Sequence, residues 1–172
     1  MADGGPSRKR AAPTGVTLEV EIVRHGDAWA ADAPDVLIEQ AARAALSASP
    51  SLPVGTYHLT LLLTDDGEMR NLNRTWRGKD APTNVLSFPS GEIAATGFLG
   101  DVALAAGTMR REAREQDIAL QDHVSHLVVH GVFHLLGFDH DDDRAAERME
   151  TLERTALVSL GVADPYAAEV AP

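Results

Sequence analysis

The stretch His130-Gly131-Val132-Phe133-His134-Leu135-Leu136-Gly137-Phe138-Asp139-His140 constrains this chain more than any other part of its sequence. His130 and His134 are four residues apart, and in a helix residues i and i+4 stand one above the other on a single face. Two imidazoles can therefore share one cation. Gly137 is the residue type that most readily takes the left-handed turn ending a helix, so the chain beyond it can swing His140 back toward the first two histidines. Three neutral imidazole nitrogens with an open fourth position form the ligand set of a catalytic zinc, whereas a structural zinc is usually closed by four ligands rich in cysteine. The chain has no cysteine.

The pattern H-x-x-x-H-x-x-G-x-x-H matches the ligand spacing of the metzincin proteases, H-E-x-x-H-x-x-G-x-x-H, at every position but one. Those proteases use the glutamate after the first histidine as general base, and here Gly131 stands in its place. Metal binding survives the comparison; peptidase chemistry does not. A rival ligand set, His126, His130 and His134, runs along the same helix, with His123 behind it. At about 1.5 Å rise per residue, His126 and His134 are roughly 12 Å apart along the axis, too far for both to reach a zinc at about 2.1 Å. His126 is left as a group behind the ligands, a group on the substrate side, or a packed histidine. His123, His25 and His58 fit no pattern.

With 172 residues, 44% of them apolar, the chain can build one domain with a real core and is too short for two comfortable ones. No apolar run approaches the roughly 20 residues of a membrane span. Residues 1–15 place Ser7-Arg8-Lys9-Arg10 among Ala, Gly and Pro without an apolar segment, so they read as a disordered extension rather than a secretory signal. Residues 16–166 form the domain, and 167–172 a flexible tail. Without cysteine or signal, a cytoplasmic location is the expectation, and nothing in the sequence specifies an oligomeric state. A net charge of −11 is opposite in sign to the footprint of a general nucleic-acid binder. Binding RNA would need a local basic cleft, for which Arg70, Arg74, Arg77 and Lys79 are the candidates.

Thr17 to Val23 alternates polar and apolar residues, as a strand with one wet face does. Pro34-Asp35 opens a helix through about Leu46 with Val36, Leu37, Ala41, Ala44 and Ala45 as its apolar stripe. Tyr57 to Thr64 reads as an interior strand. Asp65 and its neighbours cap a helix from Glu68 to about Trp76, in which Met69, Leu72 and Trp76 should face the core, with Arg77 just past its end. Val85 to Phe88 is a short strand, Ser90 to Gly97 a mobile loop, and Phe98 to Leu104 a strand in which Asp101 is costly to bury unless paired. Helices follow at Thr108–Gln116, from Leu120, and at Arg144–Leu160, the last with Met149, Leu152, Ala156 and Leu157 inward. Strands early and helices late predict an α+β fold: a small mixed four-stranded sheet with helices mainly on one face and a zincin-like metal helix.

Three segments, taken in order, carry a resemblance to a known family. They are Leu72-Asn73-x-x-Trp76-Arg77-x-Lys79-Asp80-x-Pro82-Thr83-Asn84-Val85-Leu86-Ser87-Phe88-Pro89, then Leu99-Gly100-Asp101-Val102, then the histidine stretch from His130 to His140. Together they resemble the YbeY family of bacterial endoribonucleases, over Leu59 to Tyr166. The resemblance implies a zinc-dependent, single-strand-specific endoribonuclease holding one Zn2+ per chain. It also implies a role in ribosomal RNA processing, notably 3′-end maturation of the small-subunit RNA, and in ribosome quality control, with the small ribosomal subunit and its proteins as partners. His130, His134 and His140 match the family's metal ligands, and Arg77 matches the arginine needed for activity. Two alternatives remain at this point: a zinc hydrolase acting on another substrate class, and a non-catalytic ribosome assembly factor with a structural metal.

Overall fold

Strand β1 (Val16–Arg24) is followed by helix α1 (Asp35–Ala48) and strand β2 (Gly55–Thr64). After these come helix α2 (Asp66–Arg77), strand β3 (Val85–Pro89), the short helix α3 (Ile93–Thr96) and strand β4 (Phe98–Ala105). Three helices complete the chain, α4 (Ala106–Glu115), α5 (Leu120–Leu135) and α6 (Asp143–Ser159). The computed structural model describes residues 15–29, 31–50 and 52–167. The expected extension and tail lie outside the described residues, apart from Gly15 and Ala167.

The sheet runs in the order β1-β2-β4-β3, with β1, β2 and β4 parallel and β3 antiparallel to β4. The expected α+β fold with a mixed four-stranded sheet is the one observed. Alternation along the strands divides the side chains between two faces. Leu18, Leu59, Leu61, Leu63, Val102 and Leu104 enter the main core under α1, α5 and α6, while Leu86, Ala103 and Ala105 form a smaller cluster with Met69 of α2 on the other face. On α5, Val124, Val128, Val132 and Phe133 are fully buried. Burial of each such side chain contributes about 1.5–3 kcal/mol, so the helix carrying the histidine motif is anchored along its length.

Several expectations are corrected by the packing. The inward face of α1 is set by Ile38, Ala41, Ala42 and Ala45, and Val36 is 60% exposed. Val36 lies two residues from Ile38, roughly 200° around a helix of 3.6 residues per turn. In α2, Met69 and Asn73 are buried and Trp76 is 65% exposed. Trp76 shares the face of Met69 but overhangs a part of the sheet that no helix among the described residues covers, where it meets Phe88 edge-on. Asn73 is tolerated inside because its amide donates to the Ala81 carbonyl at 2.8 Å. The expected loop at Ser90–Gly97 contains the single-turn α3, ended by Gly97 at φ +73°. Asp101 is not buried at all: it points outward from β4 on the uncovered face. Arg77 is the last residue of α2 rather than part of the loop after it.

Candidate metal centre and active site

The end of α5 explains why the third histidine returns. The Gly137 amide donates to the His134 carbonyl at 3.1 Å, and the Phe138 amide donates to the Phe133 carbonyl at 3.0 Å. Gly137 has φ +90°, and the Phe138 ring packs edge-on against Phe133 with centroids 5.6 Å apart. This pair of bonds with its apolar contact is a Schellman C-cap, which needs a left-handed residue where Gly137 stands. The reversal brings His140 within a ring's width of its partners, 5.7 Å from His130 and 5.1 Å from His134 between centroids. One nitrogen from each of the three histidines lies within 4.8 Å of the others. The three residues that the sequence singles out are thus brought together.

Two features of this cluster are compatible with a cation. His134 Nε2 and His130 Nε2 face each other at 3.0 Å, an arrangement that turns two lone pairs toward one point. Burial and the neighbouring His130 and His140 push the His134 pKa down to about 4, against the weaker opposing pull of the Phe138 backbone and Asp139. A neutral imidazole is the form a metal binds.

Behind His130 stands a residue the sequence reading missed. Glu153 of α6 has no solvent exposure, and its Oε1 lies 2.5 Å from His130 Nδ1. Its Oε2 lies 3.2 Å from His126 Nε2 and also accepts from the Tyr166 hydroxyl. Burial alone would raise this carboxyl, but the hydrogen bonds from His126 and His130, the charge of His130 and the bond from Tyr166 outweigh it and hold the pKa down to about 2. A carboxylate at Nδ1 keeps the proton there and leaves Nε2 bare for the cation. His126 thus packs with Tyr166 around Glu153, behind the three-histidine cluster. The signal was present in the sequence: Glu153 is four residues from both Met149 and Leu157 on the inward face of α6, where an unpaired charge would be costly.

The same close packing explains Gly131. A Cβ at this position would come within 2.7 Å of Val102 Cγ1, and the Gly131 carbonyl accepts from Ser87 Oγ at 3.0 Å. The position after the first histidine thus packs against β3 and β4, and a larger side chain there would collide with Val102.

The three imidazoles open into a cleft of about 550 Å³ that is also lined by Arg77, Lys79 and Asn84. Arg77 Nη2 donates to the Ser87 carbonyl at 3.3 Å, which fixes the guanidinium on the cleft wall. Asn84 Oδ1 accepts from the Val85 amide and its Nδ2 donates to Glu112, the carboxylate that also holds buried His123. The basic group read from the sequence does not act as a unit. Arg70 pairs with Asp80 through two bonds of 2.8 and 2.9 Å, and Arg74 is 3.9 Å from the same carboxylate. The Arg70 hydrogen bonds pull Asp80 below the usual carboxylate range. The cleft receives Arg77 and Lys79.

Comparison with known proteins finds relatives over most of the chain. The family model described as Endoribonuclease YbeY matches residues 28–161. A protein of that name from Azorhizobium caulinodans is 45% identical over 155 residues, covering 87% of this chain and 97% of its own. The Parvibaculum lavamentivorans protein of the same name is 42% identical, covering 98% and 97%. That from Maricaulis maris is 48% identical, covering 86% and 91%. The solution structure of TM1509 from Thermotoga maritima superimposes with a TM-score of 0.53 at 22% identity, covering 86% of this chain and 98% of that one, a likeness of fold.

Proposed function

The chain belongs to the endoribonuclease YbeY family, and from that premise we propose that it is a zinc-dependent endoribonuclease that cuts single-stranded RNA. The observation that carries this reading is the meeting of His130, His134, His140 and Arg77 in one cleft. A divalent ion held by three imidazoles supplies Lewis acidity toward a phosphoryl oxygen or a water molecule, chemistry that needs no protein carboxylate as base. This accords with the glycine at 131.

Arg77 is the catalytic residue of the proposal. With one nitrogen tied to the Ser87 carbonyl, its remaining N–H groups form a planar fork for the scissile phosphate and for the charge that builds on it in the transition state. Glu153 holds His130 in the tautomer that faces the cleft, and Asp139 tethers the third ligand by accepting from the His140 amide at 2.6 Å. The substrate we assign is ribosomal RNA in the cytoplasm, with 3′-end maturation of the small-subunit RNA and ribosome quality control as the setting and the small subunit as partner. The family resemblance supports that finer assignment.

The experiment is metal analysis of purified protein together with cleavage of matched single-stranded and duplex RNAs, with and without chelator. Zinc near one equivalent, chelator-sensitive cleavage confined to the single strand, and activity reduced at least about 100-fold in Arg77→Ala with zinc retained are expected. An Arg77→Ala protein that cuts as fast as the parent would remove the reading's main support. Product ends then report the nucleophile: a 2′,3′-cyclic phosphate for attack by the RNA's own hydroxyl, a 5′-phosphate for attack by water.

A further inference from the structure

We propose that the uncovered face of the sheet beside α2 binds a base of the single-stranded RNA, with Trp76 as its stacking platform; this extends the endoribonuclease reading and rests on it. A cavity of about 700 Å³ lies there, lined by Thr60, Leu62 and Asp101 from the sheet and by Trp76 and Phe88. Arg77, Ser87 and Pro89 line both this cavity and the metal cleft. A strand held at Arg77 therefore has the groove immediately beside it.

Trp76 has the properties that stacking requires. It is 65% exposed, yet Phe88 braces it edge-on, with centroids 6.0 Å apart and planes at 68°. A large aromatic ring held in one place and left facing solvent offers its surface to any base, because every base has a π-face. Trp29, the other tryptophan, is buried and donates to the Thr64 carbonyl at 2.9 Å, so it cannot serve.

Charge decides how the strand lies. Glu19 and Glu21 are exposed on β1 and alternate onto the same face as Val23, which lines the groove. Their carboxylates repel a phosphate from the far half of that face. Arg77 ends α2 and Lys79 follows two residues later, so the sugar-phosphate backbone follows that end while the base turns inward. Asp101, exposed on the floor, presents acceptors only, which suits the amino and imino groups of a base and not a phosphate. A protein segment is the competing occupant, and the continuity of the groove with the metal cleft favours the substrate.

The test is fluorescence anisotropy with the full-length, zinc-loaded chain and two labelled probes, a 2′-O-methylated oligoadenylate and the same backbone carrying abasic residues. The parent protein should prefer the oligoadenylate, Trp76→Ala should weaken that binding about ten-fold with zinc content and melting temperature unchanged, and Trp76→Phe should restore most of it. Equal affinity for the two probes overturns the proposal. So does a Trp76→Ala protein that binds the oligoadenylate like the parent; if its RNA cleavage still depends on Arg77, the endoribonuclease reading stands alone. A parent chain that neither binds nor cuts single-stranded RNA overturns both.

Discussion

The two faces of the sheet are built from the same four strands and have opposite fates. One is sealed by α1, α5 and α6 over Leu59, Leu61, Val102 and Leu104, all at most 1% exposed. Among the described residues the other is covered only at one end, by Met69 and its neighbours, which leaves Thr60, Asp101 and Trp76 around an open groove. The sealed face supplies rigidity: it holds α5 so close to β4 that only glycine fits at 131, and so fixes the direction in which His130 and His134 point. The open face supplies access. The metal site proposed at the margin of the two draws on both, because such a site needs a fixed scaffold for its ligands and a way in for its substrate.

The two faces should bear stability unequally. Phe133→Ala removes a fully buried ring from under the ligand helix and should cost about 3–5 kcal/mol in denaturant unfolding. A cost below about 1 kcal/mol would mean that the sealed face does not anchor the site.

Acid should act on the same side. In the metal-free protein His134 sits at about 4 instead of 6.5, so the unfolded chain binds the proton first and stability falls as the pH drops from 6.5 toward 4. Glu153 sits at about 2 instead of 4.5. Its contribution, about 3 kcal/mol, is present above 4.5 and lost as the pH falls toward 2. Stability measured against pH should decline through both windows, and Glu153→Gln should flatten the lower one. A profile level from pH 6.5 to 3 would contradict both assignments.

A smaller effect separates positioning from packing. Glu153→Gln preserves the volume behind His130 but removes the charge that fixes its tautomer, and should weaken zinc affinity about 10–100-fold. Competition against a chromogenic chelator reads this directly, and unaltered affinity would reduce Glu153 to a packing role. The smallest effect belongs to the open face: Trp76→Ala should change unfolding free energy by no more than about 0.5 kcal/mol, since the residue is 65% exposed.

This contrast also explains what the sequence could tell. The histidine motif was legible because its geometry is local: four residues of helix, a glycine cap and a three-residue return carry their spacing within one segment. Strand order, the second face and the exposure of Asp101 were not, because they depend on which helices happen to cover which strands. Trp76 was assigned inward on correct helical spacing; the sheet beneath it is simply uncovered. Glu153 escaped notice for a related reason. It approaches His130 from another helix, and no local spacing in the chain connects the two.

X-ray absorption at the zinc edge decides whether the cap at Gly137 brings His130, His134 and His140 onto one ion with a position left open. The account predicts three imidazole nitrogens at about 2.0–2.1 Å with a light oxygen donor beside them, and loss of one imidazole shell in His140→Ala. A fourth protein ligand in that position, or a spectrum that His140→Ala leaves unchanged, would contradict it.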